Sequence, residues 1–324
     1  EQTIFGTPIM NVDLAKETNS FYLLGRHKIV GNLEGTAGYR YERAEYKTNR
    51  EVPSTRMPIP GGRGFVTIPS REMHGSRKDN NSAYELGLNY KYSDTGNVFF
   101  NYTRALRTPT IQDAGAWYGP VKTQKNDIFE IGLRDAYKNT SVATSVFYIN
   151  SKNEIYYDKT NPFSSNNQNF DGKVRRIGAQ LSMAHYFDNL TLRERVSYIV
   201  PKVTSGTYDG KEFAGVSRWT VNAGATYKFA KGLTANVDAY YQSNAYAEDD
   251  FDNYFSKGNN YVTVDANLSY AFENGIELYT GVSNLFDKKY FYLIGWMFFR
   301  LCKMFHYRLL LLYSKIKKTF DMKK

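Results

Sequence analysis

Connections in this chain alternate between short and long, and that rhythm constrains the fold more than any single residue. Residues 93–96, 138–139, 188–189, 230–232 and 273–275 read as tight turns. Between them lie long polar stretches at 107–126, 151–173, 201–216 and 244–260. A soluble meander has no reason to sort its loops by side. An up-and-down strand array in an outer membrane does, with turns at one rim and long excursions at the other.

The segments between these connections carry a two-residue period. Along 82–92, Tyr84, Leu86, Leu88, Tyr90 and Tyr92 alternate with Glu85, Gly87, Asn89 and Lys91. Trp219, Val221, Ala223, Ala225, Tyr227 and Phe229 alternate with Thr220, Asn222, Gly224, Thr226 and Lys228, and Val262–Phe272 repeats the pattern. Successive strand side chains point to opposite faces, so each segment has an apolar and a polar side. Runs of about 9–11 residues are what a tilted strand needs to cross a bilayer. Aromatics at both ends of the apolar side, Tyr84 with Tyr92 and Trp219 with Phe229, suit the two interfacial girdles, and the polar side would line a lumen.

Composition agrees. A hydrophobic content of 42% excludes a helical membrane bundle but suits a barrel, in which only alternate strand residues meet lipid. The formal charge of +10 invites a nucleic-acid reading, but +7 of it lies beyond residue 290, leaving a nearly balanced body with no basic patch on any one element. No nucleic-acid partner is expected. The single cysteine, Cys302, also lies beyond residue 290, so the body holds neither disulfide nor thiolate metal site. No leader segment precedes Glu1, and since a barrel must be exported, Glu1 reads as an interior residue of a longer protein.

Six hairpins can be laid out: 20–29 with 33–43, 82–92 with 97–105, 128–137 with 140–150, 174–187 with 190–200, 217–229 with 233–242, and 261–272 with 276–286. They give about twelve antiparallel strands of an all-β transmembrane barrel. Residues 1–19 read as the end of a preceding loop and 20–290 as the barrel. The stretch 44–80, rich in Pro, Gly and Arg, is the longest expected loop, either a surface excursion or a ligand-gating segment. Residues 291–324 lose the two-residue period and read as the product of a shifted reading frame rather than a basic amphipathic helix on a membrane.

Four stretches together resemble the barrel domain of TonB-dependent outer-membrane receptors. NVFFNYTRALRTPTIQD carries the family's Tyr-Thr-Arg strand end and Arg-x-Pro-Thr continuation at Tyr102, Thr103, Arg104, Arg107, Pro109 and Thr110. QKNDIFEIGLRDAY places Glu130 and Gly132, GTAGYRYERAEY matches a Gly-x-Arg-Tyr-Glu strand, and GIELYTGVSNLFDKKY carries Gly281, Asn284, Leu285, Phe286, Asp287 and Tyr290. The resemblance implies a larger barrel, of which this chain is the C-terminal part, located in the cell outer membrane and filled by an N-terminal plug domain not found in this sequence. It implies receptor-mediated uptake energised by the TonB system through that plug, with outer-membrane lipid and a small-molecule metal chelate as partners. An iron–siderophore complex is the family's commonest cargo. Trp117, Tyr118, Arg56, Arg63 and Arg71, on the two long loops nearest the motif-rich strands, are the candidate ligand contacts. Gly132 and Gly281 are expected on the lumen side, Asn284 and Asp287 to satisfy backbone groups where the last strand ends, and Arg104 and Arg107 to pair with lumen carboxylates rather than with an anionic ligand.

Enzymatic signatures are missing. The four histidines, His27, His74, His185 and His306, show no metal-ligand spacing, and neither a nucleophile elbow nor a phosphate loop is present. The acidic run at 248–252, EDDFD, lacks the calcium-loop pattern and is expected at a solvated loop tip. No catalytic residue, metal or cofactor is therefore assigned. Two other readings use the same strands: a self-contained porin-like barrel of twelve strands, and a soluble β-rich binding or adhesion protein.

Overall fold

The computed structural model describes residues 2–4, 7–58, 64–114, 121–158, 166–229, 232–273 and 275–290. Trp117, Tyr118, Arg63 and the whole stretch 291–324 lie outside the described residues. The first strands are β1 (Gln2–Ile4), β2 (Thr7–Val30) and β3 (Leu33–Val52), followed by the small hairpin β4 (Thr55–Pro58) and β5 (Phe65–Ile68). Then come β6 (Arg71–Lys91), β7 (Asn97–Arg107), the single helical turn α1 (Ile111–Ala114), β8 (Gln124–Tyr137) and β9 (Thr140–Lys152). A second small hairpin, β10 (Ile155–Asp158) with β11 (Asn166–Asn169), precedes β12 (Lys173–Tyr186) and β13 (Leu190–Val203). The chain continues through β14 (Trp219–Lys228), β15 (Leu233–Gln242), β16 (Tyr261–Ala271) and β17 (Glu277–Val282).

Apart from the two small hairpins, all strands form one antiparallel sheet in which each long strand pairs with the next in sequence. Twelve long strands result, with the three-residue β1 added at one edge. Among the described residues β17 pairs with β16 alone, and β2 with β1 and β3, so the ladder stays open. A self-contained barrel of twelve strands would need β2 to meet β17.

Register shows why the sequence alternates. Leu88, Phe100, Ile131, Val146, Ala179, Tyr198 and Trp219 stand directly opposite one another across seven strands. One row further along, Leu86, Tyr102, Phe129, Tyr148, Ile177 and Val200 do the same. Trp219 and Val262 are 44% and 48% exposed, as a lipid-facing row must be rather than a dry core. The other face carries Asn89, Phe99, Gly132, Ser145, Gln180, Ser197 and Thr220 in register. It is laced by side-chain hydrogen bonds: Gln180 donates to Ser145 (3.1 Å), Thr226 to Asn236 (2.6 Å) and Asn236 to Asn267 (2.8 Å). Phe99 lies across Gly132, where any Cβ would meet its ring, and the Arg134 guanidinium caps that ring at 4.7 Å. This is the polar, lumen-lining face of a barrel wall.

Two expectations change. The first strand starts at Thr7 rather than Ser20, so most of 1–19 is ladder and not loop. Likewise 44–80 is mostly strand, because β3 and β6 remain paired out to Val52 and Arg71, roughly 66 Å of ladder at about 3.3 Å per residue. Above the lipid no apolar side is required, so Glu45, Lys47 and Asn49 alternate with Tyr46, Thr48 and Arg50 without a hydrophobic period. At the other end β17 stops at Val282 instead of 286. Asn284 and Asp287 adopt positive φ (53° and 49°) and turn the chain.

Candidate functional site

Every long connection leaves from the same rim, and three of them condense into one block. The connections β9–β12, β13–β14 and β15–β16 bury Phe170, Val174, Val203, Phe213, Ala214 and Phe251 together, with Tyr156, Tyr208, Val216 and Tyr246 packed around them. Phe170 and Phe251 centroids are 4.8 Å apart, Phe170 and Phe213 5.1 Å, and Tyr156 meets Phe251 edge-on at 5.3 Å. Aromatic pairs at such spacing contribute about 0.5–1.5 kcal/mol beyond their burial. Fastenings are polar. Glu212 accepts from Arg218 (2.5 Å) and Lys257 (2.8 Å), and Arg176 grips Glu154 with two bonds while lying 5.0 Å over Phe213.

The EDDFD run is not a solvated tip. Asp250 is 3% and Phe251 7% exposed, and the Asp250 carboxylate accepts the backbone N–H groups of Tyr254 (2.8 Å) and Phe255 (3.0 Å). Nearby, the backbones at Gly172 and Gly206 pass so closely that a Cβ on either would run into the other loop, and both have positive φ (118° and 87°). Asp171 seals this crossing by accepting the Thr207 hydroxyl (2.7 Å) and N–H (3.0 Å), which hold its carboxyl below the usual carboxylate range. Burial, reinforced by Asp158, pushes Tyr156 up to about 12, and burial also raises Tyr208.

The stretch RTPTIQD acts as a clasp. Arg107 donates to the Ile155 carbonyl (2.9 Å), and Gln124 accepts the Ile155 N–H (3.1 Å), so two opposed residues hold β10 from both sides. The buried Pro109 offers its carbonyl to Tyr46 Oη and Lys16 Nζ, each at 2.9 Å. Thr110 and Asp113 cap α1 reciprocally, N–H to side chain in both directions, the Asp form of a capping box. Asp113, 1% exposed, also accepts from Asn167 of β11. Arg107, Pro109 and Thr110 thus tie the β2–β3 wall, the β7–β8 connection and the β10–β11 hairpin together.

Arg104 pairs with a carboxylate, as expected, but on the other side of the wall, and Tyr102 shares its face. Both lie on the face of Phe100, in the lipid-side rows, not toward the lumen. Arg104 binds Asp127 through Nε (2.7 Å) and Nη2 (3.0 Å), and Tyr102 donates to the same carboxylate (3.0 Å). Arg107 meets a backbone carbonyl instead of a carboxylate.

The remaining motif residues hold structure. Glu130 faces Gln180 at 3.5 Å on the polar face, and Gly281 lies opposite Asn267. Asn284 bonds Lys288 with both side-chain atoms, and its own N–H reaches Asp265. Leu285 donates its N–H to Val264, Asp287 donates its N–H to the Asn284 carbonyl, and Phe286 is exposed. Tyr290 stacks on Tyr261 at 4.3 Å.

Of the proposed ligand contacts within the described residues, Arg56 lies on β4 with its guanidinium 5.5 Å from the Phe65 ring. Arg71 opens β6 opposite Val52. Both are exposed. A cluster that sequence reasoning missed lies on the polar face of β3 and β6. Arg40 pairs with Glu42 (2.7 Å), Arg77 pairs with Asp79 (2.5 Å), and Lys16 and Arg77 lie 5.3 and 5.0 Å from the centre of the Tyr46 ring. Its signal was there in the two-residue spacing of opposite charges at 40/42 and 77/79. The loop reading of 44–80 hid it.

A wall of long antiparallel strands, apolar outside and polar inside, with turns at one rim and packed excursions at the other, defines an outer-membrane β-barrel of the receptor type. The chain matches the family described as TonB dependent receptor-like, beta-barrel, over residues 4–285, and it belongs to that family. It is 25% identical over 228 residues to an uncharacterised TonB-dependent receptor of Haemophilus influenzae, covering 68% of this chain and 61% of that protein. It is 20% identical over 301 residues to the probable TonB-dependent siderophore receptor PiuA of Acinetobacter baumannii, covering 86% and 38%. Its fold superposes on the ferric yersiniabactin uptake receptor FyuA of Yersinia pestis with a TM-score of 0.70 at 18% identity, over 91% of this chain and 44% of that one. The chain therefore spans between about two fifths and three fifths of the length of these relatives. Barrels of this family reside in the outer membrane, and the family is one of transport receptors, not of enzymes.

Proposed function

We propose that this chain is the C-terminal part of the barrel of a receptor that imports a scarce nutrient across the outer membrane, an iron–siderophore complex in the first instance, with energy from the TonB system acting through a plug domain inside the barrel. The observation that carries this reading is the combination of a polar inner wall with a packed loop block at the rim where the long connections gather. An aqueous lumen alone would serve a passive pore. A loop assembly tied to the wall by the Arg107–Thr110 clasp is the kind of roof that captures a bulky ligand. Named relatives support the cargo class, since PiuA and FyuA are described as siderophore and ferric yersiniabactin receptors. Trp117, Tyr118, Arg56, Arg63 and Arg71 are the proposed contacts, aromatic and cationic as a large anionic chelate requires. The barrel in this reading begins with β2 rather than at residue 20 and runs to 290, and 291–324 is read as the product of a shifted reading frame.

The test is uptake of radiolabelled ferric siderophores by iron-starved cells whose only receptor is the full-length protein, with and without functional TonB. Accumulation that needs both is the expected result; passage that ignores TonB would turn the reading into a pore. Residues 1–324 expressed alone are expected to give none, because the open edge at β17 leaves backbone groups that lipid cannot satisfy.

A further inference from the structure

One acid–base pair lies on the lipid side of the wall between the two aromatic girdles. Glu194 on β13 has the lipid-side parity of Val196 and Tyr198, opposite Met183 on β12 and Ala223 on β14. Four residues toward the loops Tyr198 packs on Trp219 at 4.5 Å, and four residues toward the turns Leu190 stands opposite Tyr227. At about 3.3 Å per residue and a tilt of about 45°, Glu194 lies about 9 Å inside each of these levels. His185 on β12 has the same parity, opposite Leu192 and Thr140, and its Nε2 is 3.6 Å from Glu194 Oε2. Thr140 Oγ1 lies 2.9 Å from the other ring nitrogen. An ionisable side chain facing lipid is costly, and where one is kept it points to a site.

Two features set this pair apart. The outward carboxyls nearer the rims are fully engaged, Asp127 by Arg104 and Tyr102, and Asp135 by Tyr92 and Thr95. Glu194 Oε2, by contrast, is buried and accepts no hydrogen bond, since 3.6 Å is too long for one. The wall beside it also differs from the rest. Outward rows across β6, β7 and β8 present Leu86, Tyr102 and Phe129, then Leu88, Phe100 and Ile131. Across β14, β15 and β16 they present Ala223, Ala239 and Val264, then Ala225, Val237 and Ala266. Small residues let two backbones approach closely within a membrane, and polar side chains among them fasten the contact. A carboxyl and an imidazole side by side on one patch are complementary to a second copy of the same patch. A two-fold axis parallel to the barrel axis, passing between the two heads, sets each carboxyl against the other copy's imidazole.

We propose that the lipid-side face of β12, β13, β14 and β15 around His185 and Glu194 is where two copies of this protein pair in the outer membrane. The Glu194 carboxyl of each copy bonds the His185 imidazole of the other, and Ala223 and Ala225 bring the two walls together. The contact is isologous, so it closes at two copies. It lies outside the lumen and is independent of the cargo.

The experiment uses the full-length protein, labelled at its N-terminus with a donor or an acceptor dye and reconstituted in phosphatidylethanolamine–phosphatidylglycerol vesicles over a range of dilutions, with energy transfer reporting association. The parent is expected to pair. Glu194→Gln and His185→Gln are each expected to weaken pairing about 10- to 100-fold, because either substitution removes two symmetric polar contacts. His27→Gln, which changes an outward histidine on β2, is expected to leave pairing unchanged. The deciding arm is a mixture. Glu194→His alone and His185→Glu alone each set like groups against like and should not pair, whereas the two variants mixed should pair with each other. A role confined to one copy, or to contact with lipid, gives no such rescue. If either exchange variant fails to fold, as judged by heat-dependent gel mobility, the double variant Glu194→His/His185→Glu takes the place of the mixture and should pair like the parent. A parent that stays single at every dilution, undiminished pairing in both Gln variants, or a mixture (or double variant) that does not pair would each overturn the assignment.

Discussion

Two parts of this molecule leave the membrane by different physics. The β2–β3–β6 wall continues as bare ladder for many residues, its backbone satisfied strand to strand and its side chains solvated, ion-paired or, at Tyr46, buried against the clasp. The β9–β12, β13–β14 and β15–β16 connections abandon the ladder and bury aromatic side chains against one another. Chain that rises from a barrel must satisfy its backbone polar groups in either case. One solution does so by pairing, the other by folding a small core with side-chain caps from Asp250 and from Asn253, whose amide holds the Glu212 N–H and carbonyl. The paired solution is stiff and local, whereas the packed one makes three distant segments depend on each other.

The sharpest way to break this comparison is to remove one ring. Phe251→Ala is expected to cost about 3–5 kcal/mol within the block, as buried aromatic truncations do. Amide exchange should then rise together in the described parts of 153–172, 204–218 and 243–260, while the β3–β6 ladder stays protected. Exchange confined to 243–260 would mean that the three connections are independent loops and that the shared core contributes nothing.

How much of this was legible beforehand differs between the regions for the same physical reason. Within lipid the solvent writes a two-residue period, so the twelve strands and the sorting of loops by side could be read from Tyr84–Tyr92 or Trp219–Phe229. Above lipid that constraint vanishes. Glu45-Tyr46-Lys47-Thr48 then reads as loop although it is ladder, and Asp249-Asp250-Phe251 reads as a solvated tip although it caps a core. The motif arginines were found, but not their roles. Arg104 carries no mark of which face it takes until its parity with Phe100 is fixed, and Arg107 binds a carbonyl that could not be foreseen. Neighbours across strands are invisible in one dimension: Lys125, Lys152 and Lys173 stand side by side only through register.

A smaller effect tests the joint between the two regions. Tyr46 is the ladder residue whose buried hydroxyl donates to Pro109 O, so Tyr46→Phe removes one link between wall and clasp. Pro109 O keeps its bond from Lys16, and the expected cost is about 1 kcal/mol. Exchange should rise at 110–114 and at 121–124 while the rings around Phe251 keep their protection. If the aromatic block loosens as well, wall and block are one cooperative unit, and the distinction drawn between them is too strong.

The smallest effect separates the regions by acid. Asp171 has its carboxyl held below the usual range by two bonds from Thr207, at the crossing of two block loops. A depressed carboxylate pKa means that the folded state releases its proton more readily than the unfolded chain. The stabilisation is therefore complete above the ordinary carboxylate value, and it declines as pH falls through the depressed one. Acidification should loosen the Gly172–Gly206 crossing first, seen as faster exchange at Lys173 and Thr207, whose N–H groups donate to Ser205 and Asp171. Thr207→Val keeps the N–H but loses the hydroxyl, so it should shrink the acid dependence, and Asp171→Asn should abolish it. An acid response at the crossing that survives Asp171→Asn would refute the assignment of the sensitivity to Asp171.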